Sequence, residues 1–246
     1  MSAWQFKPKL IPTISVIVLF PALLALGFWQ LDRAHQKEAL YGQYQHRRVL
    51  DPVNLNATSA RDINAGNLLW RRATVQGVYD NGNNYLLDNQ VMNGQPGYFI
   101  YTPFRPVPGK SRVLVNRGWV PADPDRSRLP VVPTPSGPVT LDGVIKGMPV
   151  TGILLGKDLT EDLPGGIIRV QTIDLNTISR RTGHKLLPFI IRLNPASASG
   201  FIRTWAEPGS GKEKHLGYAF QWFLMAAALM IIYVVVNLKR GSGASV

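Results

Sequence analysis

Two long stretches without a charged residue, one near each end of the chain, limit what this sequence can fold into. Residues 10–31 and 216–238 contain no Asp, Glu, Lys or Arg. A helix rises about 1.5 Å per residue, so the first stretch would be about 33 Å long, enough to cross the hydrocarbon core of a bilayer. A buried helix of a large soluble core is the alternative for each stretch, but charges bound both of them. The sequence therefore predicts two transmembrane helices with a folded domain between them.

A cleaved signal peptide is an alternative for the first stretch, because Lys7 and Lys9 precede it. Phe28 and Trp29 near its end are too bulky for a cleavage site, so an uncleaved anchor is favoured. The first nine residues are too short, and too poor in Arg and Ser, for a mitochondrial presequence, which favours a bacterial origin. We expect tails over residues 1–9 and 239–246, transmembrane helices over 10–31 and 216–238, and an extramembrane domain over 32–215.

Two spans place both tails on one side of the membrane and the domain on the other. Basic residues flank both ends of the two spans: Lys7, Lys9, Lys239 and Arg240 at the tail ends, and Arg33, Lys37, Lys212 and Lys214 at the domain ends. The positive-inside rule also says little about long loops, so charge alone does not fix the orientation. We expect a bacterial inner-membrane protein with both termini in the cytoplasm and the domain in the periplasm, and the absence of Cys is compatible with that compartment.

The chain is basic, with a formal net charge of +12, and its domain segment alone carries a net charge of about +8. Such a charge raises the question of nucleic-acid binding. The basic residues are scattered rather than clustered, and a domain facing away from the cytoplasm would rarely meet nucleic acid. A solvated surface that also favours anionic lipid headgroups is the preferred interpretation.

The domain segment has the pattern of strands rather than helices. Short β-branched or aromatic runs are separated by Gly, Pro, Asn and Asp, and they predict strands over residues 73–79, 84–89, 97–102, 113–120, 139–146, 167–172 and 189–193. One interior helix is predicted over residues 175–181, with Asp174 as its N-cap and Gly183 as its stop. The first transmembrane helix is expected to continue past the membrane towards Leu50. The predicted fold class is a mainly antiparallel β domain, a small barrel or a sandwich with few short helices, anchored by two transmembrane helices.

No motif of a known enzyme class occurs in the sequence. Histidine is scarce, and two of the four histidines lie where the predicted spans meet the domain: His35 and His215. Amphipathic residues are comfortable at such an interface, and from residue type alone that explanation is the better supported one.

Aromatic residues and cations surround the same end of the spans. The aromatic residues are Phe28, Trp29, Tyr218, Phe220, Trp222 and Phe223, and the cations are Arg33, Lys212 and Lys214. Structurally this is an aromatic belt. Flat apolar faces beside an imidazole and several cations could also hold an amphiphilic macrocycle with two carboxylates, with the imidazole on its iron.

Several segments, in order along the chain, resemble the Surfeit locus protein 1 family of cytochrome c oxidase assembly factors, in its bacterial form. The first is Leu26-Gly27-Phe28-Trp29-Gln30-Leu31 followed by Arg33, Lys37 and Leu40. The most specific are Asn116-Arg117-Gly118-Trp119-Val120-Pro121 and the opening of the second span, His215-Leu216-Gly217-Tyr218-Ala219-Phe220-Gln221-Trp222. Departures from the family pattern occur at Gln36, Gln90 and Gln221.

The resemblance implies a non-enzymatic factor that binds haem a and assists its insertion into subunit I of a haem-copper oxidase. By position, His215 is then the axial haem ligand, whereas His35 matches no family position. The residues expected to bind the cofactor, with His215 on the haem iron, are His215, Tyr218, Trp222, Trp29 and Arg33. The implied partners are cytochrome c oxidase subunit I, other assembly factors and the lipid bilayer, with homo-oligomers left open. The alternative is a membrane-anchored scaffold that stabilises oxidase assembly intermediates without a cofactor.

Two glycines of these motifs are expected to have structural roles. Gly118 in the Asn-Arg-Gly-Trp motif lets the backbone turn or approach closely, and the neighbouring Trp119 packs into the domain. Gly77 indicates a bulge or a crowded crossing of strands, where a larger residue would damage folding first.

Overall fold

Helices occupy the two ends of the chain and strands occupy its middle, as a computed structural model describes for residues 4–58, 64–107, 111–125, 128–149 and 160–240. The helices are α1 (Leu10–Val49), α2 (Ala65–Leu68), α3 (Leu175–Thr182) and α4 (Lys212–Asn237). The strands are β1 (Trp4–Phe6), β2 (Val53–Asn54), β3 (Arg72–Tyr79), β4 (Asn84–Met92), β5 (Gln95–Pro106), β6 (Arg112–Pro121), β7 (Val139–Lys146), β8 (Thr160–Leu163), β9 (Ile167–Val170), β10 (Leu186–Leu193) and β11 (Leu238–Arg240).

The described chain forms two units, a helical unit of residues 4–44 and 206–240 and a β domain of residues 45–205. In the helical unit, α1 and α4 are both long and apolar enough to cross a membrane. Only 6% and 11% of their most apolar stretches are buried within the protein, unlike the core helices of a soluble fold. The two helices therefore fit a membrane protein with two spans, and α1 continues to Val49, which confirms the predicted extension.

Five strands of the β domain close into a barrel. The ring runs β3, β7, β10, β6 and β5, and the pairing of β3 with β5 closes it through the partners Gly77 with Pro106 and Tyr79 with Phe104. Side chains that alternate along these strands fill the inside, including Val75, Phe104, Val115, Leu141, Phe189 and Ile191. Because successive side chains on a strand point to opposite faces, the same strands also offer an outer face. The structure thus selects the barrel over the sandwich.

Strands beyond the barrel extend its sheet. The order continues from β5 to β4, β9 and β8, while β2 pairs with β3 on the other side. A second core forms on the outer face beneath α3, from Tyr85, Tyr101, Leu114, Ile178, Leu186 and Ile190 among others. Most strand pairs are antiparallel, as predicted, and three are parallel: β2 with β3, β4 with β9 and β10 with β6.

All seven strands predicted between the spans are present. Five of them are longer than predicted, and the strand predicted over residues 167–172 ends at Val170. The interior helix is confirmed as well. The Asp174 carboxylate accepts hydrogen bonds from the backbone N–H groups of Asn176 and Thr177, at 3.1 and 3.0 Å, and Gly183 ends the helix at φ +67°. Five short elements have no counterpart among the predicted ones, namely α2 and the strands β1, β2, β8 and β11.

Both motif glycines have the structural roles expected of them. Gly118 has φ +120°, a backbone conformation that residues other than glycine rarely adopt. Trp119 beside it is only 3% exposed. A Cβ at Gly77 would collide with the Arg105 carbonyl oxygen where β3 crosses β5. Gly77 therefore permits the contact that closes the barrel.

Candidate functional site

The two long helices pair in antiparallel fashion along their length. Near the chain ends, the Lys9 backbone N–H donates to the Asn237 side-chain oxygen at 2.7 Å. Near the opposite end, the rings of Phe28 and Phe223 meet edge to face, with centroids 5.3 Å apart. Contacts therefore hold the helices together at both ends of the apolar stretch.

Small residues lie at the contact between the two helices. Gly27 is buried on α1, and a Cβ there would lie 2.6 Å from the Phe223 ring. Ala34 on α1 and Ala219 and Ala226 on α4 are 1–3% exposed. Small residues at such spacings are typical of helix contacts within a membrane, where large apolar side chains gain nothing by leaving the lipid.

His215 lies in the first turns of α4, at the domain end of the helix pair, and is half-buried. Its ring nitrogen Nδ1 is 2.8 Å from the side-chain oxygen Oε1 of Gln30 on α1. Gln30 is 9% exposed and lies on the same buried stripe of α1 as Gly27 and Ala34. Of the predicted site residues, His215 is thus the one with a defined polar contact across the helix pair.

The predicted site residues on α4 share a face with His215. Each residue turns about 100° around the helix axis, so Tyr218 and Trp222, three and seven positions later, lie within about 60° of His215. Tyr218 is 52% exposed and Trp222 is half-buried. Both rings thus lie on the side of α4 that carries the imidazole and remain partly open to a ligand.

The predicted residues on α1 lie on the same flank of the helix pair, farther from the contact. Arg33 follows Gln30 by three positions and is exposed. Its guanidinium lies 5.6 Å from the centre of the Trp29 ring, and Trp29 is 49% exposed. Trp29 and Arg33 thus form a cation–π pair that faces outwards rather than into the contact between the helices.

The structure does not bring His35 together with His215. His35 is exposed, and it lies five positions after Gln30, which places it about 140° around α1 from that residue. It therefore faces the opposite flank of the helix pair. His35 and His215 lie at the same end of the helix pair but point in different directions.

One of the cations near the site, Lys212, forms an ion pair that was not predicted from the sequence. Lys212 Nζ lies 2.8 Å from Glu38 Oε1. This hydrogen bond from Lys212 lowers the pKa of the Glu38 carboxyl, and the same contact raises the pKa of Lys212. Arg33 and Lys214 have no carboxylate partner among the residues that the structure describes, although Arg33 donates a hydrogen bond to the Gln36 side-chain oxygen at 3.0 Å.

The β domain holds a second notable cation, Arg117 of the Asn-Arg-Gly-Trp motif. Its side chain is 1% exposed and donates to the Pro133 carbonyl at 2.5 Å and the Thr134 hydroxyl at 3.1 Å. The guanidinium lies between the rings of Tyr79 and Phe201, at 5.0 and 5.1 Å. Burial lowers the pKa of Arg117. These contacts tie the segment that contains Pro133 and Thr134 to the barrel, which is a structural role.

A bare metal ion has no candidate site in the described ranges, because no three His, Cys, Asp or Glu side chains come together there. The chemistry available at the end of the helix pair is instead that of the His215 imidazole, the rings of Tyr218 and Trp222, and two cations without a carboxylate partner in those ranges. That donor set suits a flat ligand whose metal already has other ligands, rather than a free ion.

Comparison with known proteins assigns the chain to a family. The model of the SURF1 family matches residues 17–227, which include most of α1, the whole β domain and the first part of α4. Surfeit locus protein 1 of Arabidopsis thaliana is 26% identical over 83% of this chain and 71% of its own length. A SURF1-like protein of Rickettsia felis is 25% identical over 89% of this chain and 94% of its own length, and the yeast cytochrome oxidase assembly protein SHY1 is 26% identical over 39% of this chain and 24% of its own. The match over most of the chain shows that this protein belongs to the SURF1 family.

Proposed function

We propose that this protein assists the assembly of a cytochrome c oxidase and binds haem a for insertion into subunit I. The family membership supports the assembly role, since the yeast relative is named a cytochrome oxidase assembly protein. The observation that carries the haem proposal is the position of His215, held at the domain end of the helix pair with aromatic rings on its own face.

The residues of the helix pair fit the chemical character of haem a. The group is a flat apolar ring with two carboxylates, and its iron accepts an imidazole as an axial ligand. His215 would supply the imidazole, Tyr218 and Trp222 would offer flat apolar faces, and Arg33 would hold a carboxylate by charge-assisted hydrogen bonds. Trp29 would contribute through the cation–π contact that holds Arg33.

We further propose that both termini lie in the cytoplasm and that the β domain lies in the periplasm of a bacterial inner membrane. The pairing of β1 with β11, with Gln5 opposite Lys239, supports placing both ends on one side. The Rickettsia relatives support a bacterial setting. A periplasmic domain would be accessible to the periplasmic parts of subunit I and of other assembly factors.

Haem binding can be tested on the full-length protein purified from cells that make haem a. Absorbance after pyridine extraction gives the haem content of the wild type, His215→Ala and the control His35→Ala. We expect haem in the wild type and in the His35 variant, and at least a tenfold loss in the His215 variant, because only His215 faces the aromatic flank. Equal haem in all three proteins would exclude His215 as the ligand.

The alternative is a scaffold that binds oxidase subunits without a cofactor. Co-purification of subunit I with the same three proteins separates the two proposals. If the wild type carries no haem but retains subunit I, the scaffold function is the correct one. If the wild type carries haem, the scaffold alone is insufficient.

A further inference from the structure

The hydrogen bond between His215 and Gln30 has a chemical consequence beyond holding two helices together. Neutral imidazole carries one proton, either on Nδ1 or on Nε2, and the nitrogen without the proton is the one that can bind a metal. The oxygen Oε1 of Gln30 can only accept a hydrogen bond, and it lies 2.8 Å from Nδ1. The proton must then sit on Nδ1, and the lone pair is left on Nε2.

We infer that Gln30 is a positioning residue that fixes the tautomer and the orientation of His215 for axial ligation of iron. The inference rests on the proposed haem function and adds to it a residue on the opposite helix. A histidine ligand that donates its other N–H to an oxygen acceptor is held in one ring orientation and becomes a stronger donor to the metal.

The buried surroundings of Gln30 favour its hydrogen bond to His215 over a hydrogen bond to water. Gln30 is 9% exposed and lies between Gly27 and Ala34 on the buried stripe of α1, so little water competes for its amide. In such a setting an unpaired amide oxygen is costly, and the bond to His215 is correspondingly favoured. The close packing of Gly27 against Phe223 holds the two backbones near enough for the side chains to meet.

A structural polar contact between helices is the competing explanation, since such contacts also stabilise membrane helix pairs. That explanation requires only that Gln30 holds α4 in place. It predicts no effect on the protonation site of the ring or on the electronic properties of a bound haem. Measurements of those two properties therefore distinguish the explanations.

The first test uses the haem-free protein. Nitrogen-15 NMR of the imidazole rings in lipid nanodiscs reports which nitrogen of His215 carries the proton, with the signal assigned by its loss in His215→Ala. We expect the Nδ1–H form in the wild type and its loss in Gln30→Leu, while the control Gln221→Leu, at an exposed position of α4, keeps it. An Nε2–H ring in the wild type overturns the inference whether or not the protein binds haem.

The second test uses the haem-loaded protein. Gln30→Leu should lower haem affinity about 10- to 100-fold, as loss of a histidine's outer hydrogen-bond partner typically does. Gln30→Glu should retain haem and lower its midpoint potential, because a carboxylate acceptor makes the imidazole a stronger donor. Wild-type affinity and potential in both variants would refute the role of Gln30, whereas a haem-free wild type would refute the proposed function and leave the NMR result standing.

Discussion

Replacement of Arg117 should destabilise the β domain strongly, although the residue is not among the predicted ligand contacts. The change Arg117→Ala removes two hydrogen bonds donated by a charged group and two ring contacts at 5.0 and 5.1 Å. Relief of the buried charge offsets part of this loss, because a guanidinium pays for its removal from water. Typical values for these effects leave a net loss of about 3 kcal/mol in the free energy of unfolding.

That loss can be measured on the full-length protein in detergent. Thermal unfolding is followed by circular dichroism of the β-strand signal, and about 3 kcal/mol corresponds to a melting temperature lowered by about 6–12 °C in a domain of this size. Arg117→Lys should recover less than half of the loss, because an ammonium has no planar face to lie between the Tyr79 and Phe201 rings.

The control is Arg105→Ala, since Arg105 is an exposed residue of β5. It should change the melting temperature by no more than about 2 °C, as is usual for a surface position. A shift below about 2 °C for Arg117→Ala, or full recovery by Lys, would show that the stacked geometry contributes little to stability.

Three further substitutions test other parts of the structure. Burial, with a smaller contribution from Arg192, lowers the pKa of Lys146 to about 8, whereas in an unfolded chain the pKa is about 10.4. Because the unfolded chain then binds more protons, the free energy of unfolding should rise with pH between these two values. Lys146→Met should flatten this pH dependence in thermal melts at about pH 7.5–10. Gly27→Leu should cost about 1–3 kcal/mol of unfolding free energy and so lower the melting temperature of the helical circular dichroism signal. Gly217→Leu should not, because a side chain at Gly217 meets open space. Asp174→Ala should cost about 1 kcal/mol as the loss of an N-cap and Asp174→Asn much less, as measured by urea unfolding.

Most elements of the fold could be predicted because their signals are local. The strand over residues 139–146 was predicted with the bounds of β7, since turn residues stand before it and its apolar side chains alternate. The cap of α3 was predicted because Asp174 and Gly183 act on backbone within one helical turn. The missed strand β8 has the sequence Thr-Glu-Asp-Leu, whose charges resemble those of a loop, and it is a strand because β9 pairs with it.

The choice between barrel and sandwich could not be made from local pattern. It depends on the pairing of β3 with β5, and a strand's own alternation does not record which strand lies beside it. The three parallel pairs are hidden for the same reason. Gly77 was the one clue to the closure, because a glycine inside an apolar strand indicates close approach of another backbone.

For the candidate site, residue types indicated the correct end of the helices but not the direction in which each side chain points. His35 and His215 are equivalent by type and depth, and only the rotation of α1 separates them. The spacing of the small residues indicates which face of α1 turns towards α4. Gly27 and Ala34 are seven positions apart and lie on one face of α1. Within a membrane, small residues on one face of a helix are typical of the contact with a partner helix. Gln30 lies between them on the same face, so it also points towards α4. On α4, Ala219 follows His215 by four positions, which places His215 on the corresponding stripe. Each stripe carries a polar residue at the same end of the antiparallel pair, so Gln30 and His215 meet, at 2.8 Å.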